Sequence, residues 1–130
     1  MIDKVAWIEI ENGKILVAKS KGKDVFYIPG GKRESNETDA QTLVREIREE
    51  LSVELISESM VHFGKFSAQA HGHTSGIIVE MTCYFAKYLG VILADNEIEE
   101  VAWLGFGDKE KVSFVDRIIF DDLKRKQLLK

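Results

Sequence analysis

The 130-residue chain holds one cysteine and one proline. Cys83 alone closes no internal disulfide, so the fold must stand on its core, and a reducing compartment, the cytoplasm, is the expected location. No apolar run approaches the ~20 residues that cross a bilayer, and Met1-Ile2-Asp3-Lys4 lacks the layout of a signal peptide, so no membrane partner is expected. Positive charge is also scarce: 22 acids face 18 bases, a formal charge of −4. That excludes a protein that grips duplex nucleic acid by neutralising its phosphates. An anionic small molecule would need a metal ion or local basic groups to bind here. What the chain does have is 45% apolar residues, enough at this length to bury roughly two-thirds of the surface its unfolded form exposes. With no repeat, no low-complexity tract and no linker-like composition break, the expectation is one domain over residues 1–130, as a monomer or homodimer.

Val5 to Ile10 and Ile15 to Lys19 are apolar-rich runs joined across Asn12-Gly13, a strong hairpin signal. Val25 to Ile28 is a brief β-prone stretch. It ends at Pro29-Gly30-Gly31, which reads as a turn leading into a loop through about Glu37. From Thr38 to Leu51 the period changes to 3.6: Ala40, Leu43, Val44, Ile47 and Leu51 form one stripe of an uninterrupted helix. Val53 to Phe66, Ile77 to Tyr88 and Val101 to Leu104 read as strands, with a turn at Gly72 to Gly76. Phe114, Ile118, Ile119, Leu123 and Leu128 mark a second helix with a basic end. Strands, helix, strands, helix imply an α/β architecture, a mixed sheet with helices packed on it.

The central helix breaks the charge rules. Glu46, Glu49 and Glu50 fall within an arc of roughly 100° that borders the apolar stripe instead of opposing it. Like charges three or four residues apart repel, and anions near a helix C-terminus face the unfavourable end of its dipole. Arg45, four residues before Glu49, offsets only part of this. Three clustered carboxylates at the edge of a core call for a hard divalent cation, and oxygen donors suit Mg²⁺ or Mn²⁺ better than Zn²⁺. Upstream, Gly30-Gly31-Lys32 lets backbone approach a ligand closely, but the spacing is neither that of a P-loop nor of a dinucleotide fingerprint.

Counted from Gly31, five residues lead to Glu37, and seven more lead to Arg45-Glu46-Ile47-Arg48-Glu49-Glu50-Leu51-Ser52-Val53. This resembles the Nudix box, G-x5-E-x7-R-E-U-x-E-E-x-G-U with U aliphatic, at every fixed position except the last glycine, which is Ser52. The resemblance implies a Nudix α/β/α sandwich, a mixed β-sheet between helices. It further implies divalent-metal-dependent hydrolysis of a nucleoside diphosphate linked to another moiety, with small MutT-like members converting a (d)NTP to the monophosphate and pyrophosphate. Glu49 and Glu50 would then bind metal, Glu46 would bind metal or act as general base, and the Gly31 carbonyl would add a ligand. Arg45 and Glu37 would orient those carboxylates. One acid from Asp95 to Glu100, Glu97 by choice, would complete the metal site. Lys32, Phe26 and His71 are candidate substrate contacts. Ala68 to His71 holds neither the proline nor the tyrosine that in this family accompanies action on ADP-ribose or on dinucleoside polyphosphates. A nucleotide-sugar hydrolase, or a nucleotide sensor without catalysis, would share much of this pattern, although a sensor typically lacks one of the three box carboxylates.

Asn36 suits a positive φ, and Ser52 stands where a left-handed residue is usual, at a cost on the order of 1 kcal/mol for a non-glycine. His71 and His73 read as exposed turn residues. Trp7, Phe26, Tyr27 and Trp103 read as core aromatics, and Cys83 as a small buried hydrophobe.

Overall fold

The computed structural model describes residues 1–130. In chain order β1 spans Ile2–Ile8, β2 Ile10–Glu11, β3 Lys14–Ser20, β4 Gly30–Lys32, α1 Asp39–Leu51, β5 Glu54–Leu55, β6 Val61–Gln69, β7 Ile78–Phe85, β8 Tyr88–Leu89, β9 Ile98–Leu104 and α2 Phe114–Arg125. Four strands make a mixed sheet ordered β4-β1-β7-β6, with β1 parallel to β7 and antiparallel to β4. A second, antiparallel sheet is ordered β2-β3-β9, and β5 pairs with β8. No helix is long and apolar enough to cross a membrane.

Two uninterrupted apolar runs organise the packing. Val5 to Ile8 in β1 and Ile15 to Ala18 in β3 are buried throughout, and strand alternation sends successive side chains to opposite faces. Ala6, Ile8, Ile15 and Val17 meet Val115, Ile119, Phe120 and Leu123 of α2. Val5, Trp7, Leu16 and Ala18 meet Leu43, Ile47 and Leu51 of α1. One chain thus builds two cores, each closed by a helix, and this is the α/β/α sandwich. Each fully buried Leu or Ile contributes roughly 1.5–3 kcal/mol.

The helix carrying the acids is held at both ends. Thr38 caps it: its hydroxyl accepts from the Gln41 amide, and the Gln41 side chain accepts from the Thr38 amide. The exit residue Ser52 is left-handed, with φ 63°, and Asn36 has φ 66°, as their positions predict.

Several elements differ from the sequence expectation. The hairpin at Asn12-Gly13 joins only β2 and β3; β1 stops at Ile8 and enters the other sheet, because β4 and β7 occupy both its edges. The expected strand from Val53 to Phe66 is broken by a 3₁₀ turn at Ser57–Ser59, where the Ser59 hydroxyl donates to the Ile56 carbonyl at 2.6 Å. The second helix stops at Arg125, and Gln127 turns left-handed.

The most consequential difference is at Gly30 to Lys32, which is a strand and not a turn, in register with Lys4, Val5 and Ala6 of β1. Gly30 has φ +153°, and a Cβ there would lie 2.0 Å from the Val5 carbonyl oxygen. Gly30→Ala is therefore expected to lower stability by about 2 kcal/mol or more in urea denaturation. An unchanged midpoint would show that β4 does not need this close approach.

Candidate active site

The C-terminal half of α1 carries Arg45, Glu46, Glu49 and Glu50, and β4 runs beside it. Arg45 is the hub. Its Nε and Nη2 donate to the two oxygens of Glu37 at 2.8 and 2.9 Å, its Nη1 donates to Glu46 Oε1 at 3.0 Å, and Nη2 also donates to the Lys32 carbonyl at 3.2 Å. A forked guanidinium on a carboxylate is among the strongest and most directional of polar contacts. Glu37 accepts further bonds from the Glu34 amide and the Thr42 hydroxyl. These contacts, Arg45 foremost, hold its carboxyl down at about 2.

Glu46 and Glu50 are shifted the other way. Burial raises Glu46; the Arg45 hydrogen bond and charge oppose this, and Glu49 and Glu97 reinforce it. Glu50 has no ion-pair partner, and burial, followed by the charges of Glu46 and Glu97, pushes it up to about 8 against the pull of the Gly30 amide and Lys4. Gly31 lies flush against this group: a Cβ there would sit 2.3 Å from the Glu46 carboxyl carbon. The carboxylate oxygens do not meet at one coordination point in this arrangement. Their backbone positions are nevertheless fixed along one helix edge, and Arg45 fixes the Glu46 carboxylate itself. The donor set fits a hard divalent cation: all oxygen, crowded, and short of positive charge at Glu50.

Glu50, Gly30 and Gly31 also line a cavity of about 210 Å³. Its walls are Tyr27, Ile28, Val79, Met81 and Val115, with Lys4, Lys23 and His71 among its polar lining. Lys4 makes no ion pair; its ammonium lies 5.7 Å from the centre of the Tyr27 ring, and burial lowers its pKa. Behind the cavity wall Asp116 is fully buried. Its Oδ2 accepts from the Ile28 amide at 3.0 Å and the Ser113 hydroxyl at 2.9 Å, while its Oδ1 has no partner. Burial pushes this carboxyl up to about 7.

The structure sorts the remaining candidates. His71 is not an exposed turn residue: its ring lies 4.7 Å from Phe114, its Nδ1 is buried without a partner, and it faces the cavity. His73 is exposed at the rim. Phe26 is outside the cavity, packed against the α2-side core with Lys19 over its ring, because its backbone bridges to Val112. Lys32 is exposed on β4. Glu97 stands on an exposed loop, close enough for its charge to act on Glu46 and Glu50. Tyr27 belongs to the cavity and not to either core. Sequence reasoning missed Lys4 and Asp116. Asp116 had a signal, since it falls on the same buried stripe as Ile119, Phe120 and Leu123; Lys4 had none.

A model of the NUDIX domain matches residues 3–123. The chain is 31% identical over 107 residues to the CTP pyrophosphohydrolase of Escherichia coli K12, covering 79% of this chain and 75% of that protein. It is similar in structure to the MutT NUDIX hydrolase of Burkholderia pseudomallei, with TM-score 0.75 and 21% identity over 92% of this chain and 95% of that one. It is also similar to a bifunctional NMN adenylyltransferase/ADP ribose pyrophosphatase of Francisella tularensis complexed with AMP and a Mn ion, with TM-score 0.68 and 24% identity over 95% of this chain and 41% of that one. These last two likenesses speak to the fold alone.

Burial of Glu50 has a thermodynamic sign. An ordinary glutamate titrates at 4.5, and folded Glu50 at about 8. Between those values the folded state keeps a proton that the unfolded state has lost, so stability falls as pH rises through the window. Asp116, at about 7 against 3.8, acts in the same direction. Melting temperatures measured in EDTA are expected to fall from pH 5 to 8, and less steeply in Glu50→Gln. Equal slopes for the two proteins would contradict the burial of this carboxyl.

Proposed function

The chain belongs to the Nudix hydrolase family, enzymes that act on nucleoside diphosphate derivatives, and on that premise we propose that it hydrolyses a (d)NTP to the monophosphate and pyrophosphate. The observation that carries this reading is one cavity whose lining joins Glu50, Gly30 and Gly31 of the acidic cluster to Tyr27 and the apolar side chains of Ile28, Val79, Met81 and Val115. A phosphate chain belongs beside the carboxylates, and a base belongs beside Tyr27. Resemblance to a CTP pyrophosphohydrolase supports a nucleoside triphosphate, and the lysines at the cavity supply the local cationic groups that an acidic chain otherwise lacks.

Divalent metals are general to the family; for this chain we assign Mg²⁺, with Mn²⁺ as a substitute. Glu49, Glu50, Glu46 and the Gly31 carbonyl would hold it, with Glu97 as a further ligand. When bound, the ion neutralises phosphate charge and lowers the pKa of water. Arg45 holds Glu46 at a fixed distance from Gly31, so the carboxylate is placed before substrate arrives. Glu46 would hold the metal or take a proton from an attacking water, and the burial that lifts its basicity supports the second role. Lys4 and Lys23 in the cavity and Lys32 on β4 face the phosphate chain. Tyr27 and His71 border the nucleoside. The proposed setting is the cytoplasm, and the proposed unit is one domain over residues 1–130.

With Mg²⁺ and a panel of nucleoside triphosphates, dinucleotides and nucleotide sugars, ³¹P NMR is expected to show monophosphate and pyrophosphate from a triphosphate. Glu50→Gln is expected to lose at least about a hundredfold in rate, the scale of a metal's contribution to charge stabilisation. Products of diphosphate plus phosphate, or full rate in the variant, would overturn the proposal.

A further inference from the structure

The last four carbonyls of an α-helix have no partner within it. In α1 these belong to Arg48, Glu49, Glu50 and Leu51. The Ser52 amide donates to Arg48 at 3.1 Å. The other three are taken by one loop: the Leu93 amide donates to Leu51, the Asp95 amide to Glu50, both at 3.0 Å, and the Asn96 side-chain amide to Glu49 at 2.7 Å. The Ser52 hydroxyl donates back to Asp95 at 3.3 Å. Glu97 follows at once, and its carbonyl accepts from the Lys21 amide at 2.8 Å. The acid opposite the helix is thus pinned on one side to β3's turn and on the other, through Asn96, to the residues that carry the helix acids.

The geometry points to Asn96 as a positioning residue for the carboxylate cluster: its side-chain amide, bonded to the Glu49 carbonyl, sets the distance between Glu97 and the acids of α1. This rests on the reading of that cluster as the metal site. Two properties meet at this position. The backbone is left-handed, with φ 50°, which asparagine tolerates better than most residues. The amide supplies a donor where the helix dipole and four nearby carboxylates all concentrate negative charge. Without that donor the loop keeps its two backbone bonds but loses the contact adjacent to Glu97.

Two variants separate the donor from its alternatives. Asn96→Gly keeps the left-handed backbone and removes the amide. Asn96→Asp keeps the shape but turns an acceptor toward the Glu49 carbonyl, so positioning predicts weaker cation binding, whereas added negative charge alone predicts tighter binding. Mn²⁺ binding is measured by electron paramagnetic resonance on the purified chain without nucleotide, well below its melting temperature. Both variants are expected to need about five- to tenfold more Mn²⁺ for half-saturation, the scale of one hydrogen bond. Wild-type Mn²⁺ binding in Asn96→Gly with only a lower melting temperature, or tighter binding in Asn96→Asp, overturns the inference. Glu50→Gln is the reference. If it binds Mn²⁺ as wild type does, the metal reading itself fails; if it loses binding while both Asn96 variants bind normally, only the positioning role fails.

Discussion

Four carboxylates, Glu46, Glu49, Glu50 and Glu97, crowd the end of a helix where its dipole already disfavours them. The surrounding structure manages that repulsion. Arg45 takes Glu46 into a forked network with Glu37. The loop from Leu93 to Glu97 covers three helix carbonyls with donors. Glu50 is left without a cationic partner, and burial first, then the charges of Glu46 and Glu97, raise its affinity for protons. A cluster assembled only for stability would place a lysine there; Lys4 reaches close enough to pull on Glu50 but forms no ion pair with it.

The fold makes such crowding tolerable by fixing α1 independently of its acids. Leu43, Ile47 and Leu51 anchor it on Val5, Trp7 and Leu16, and the capping box fixes its start. Both sheets contribute to both cores, so β1 sets the position of the helix and of β4 together. Gly30 and Gly31 then matter for different reasons. Gly30 lies in backbone that only glycine enters comfortably and against the Val5 carbonyl, whereas Gly31 leaves room for the Glu46 carboxylate.

The helix and its acids were legible because periodicity, capping and spacing are local properties of residues 31 to 53. Cys83 and Trp7 were legible as buried residues because they sit in apolar runs. The partition of strands between two sheets was not, since β1 and β3 are equally apolar and only their long-range partners separate them. The cavity was the least legible part. Tyr27, Lys4 and His71 come to it from three separate segments, with Asp116 of α2 behind its wall, and a lysine in β1 reads as solvated until the Tyr27 ring is placed beside it. Phe26 and Tyr27 illustrate the limit: neighbours in sequence, they point to a core and to a cavity respectively.

These carboxylates are held together short of one positive charge. Calorimetric titration of the nucleotide-free chain with Mg²⁺, repeated at pH 7 in buffers of different ionisation enthalpy, counts the protons released as the ion binds. If the charge deficit centres on Glu50, binding expels close to one proton per site at pH 7, and the release dwindles above about pH 8. Mg²⁺ binding with no proton release at pH 7, or no Mg²⁺ binding at all, contradicts it.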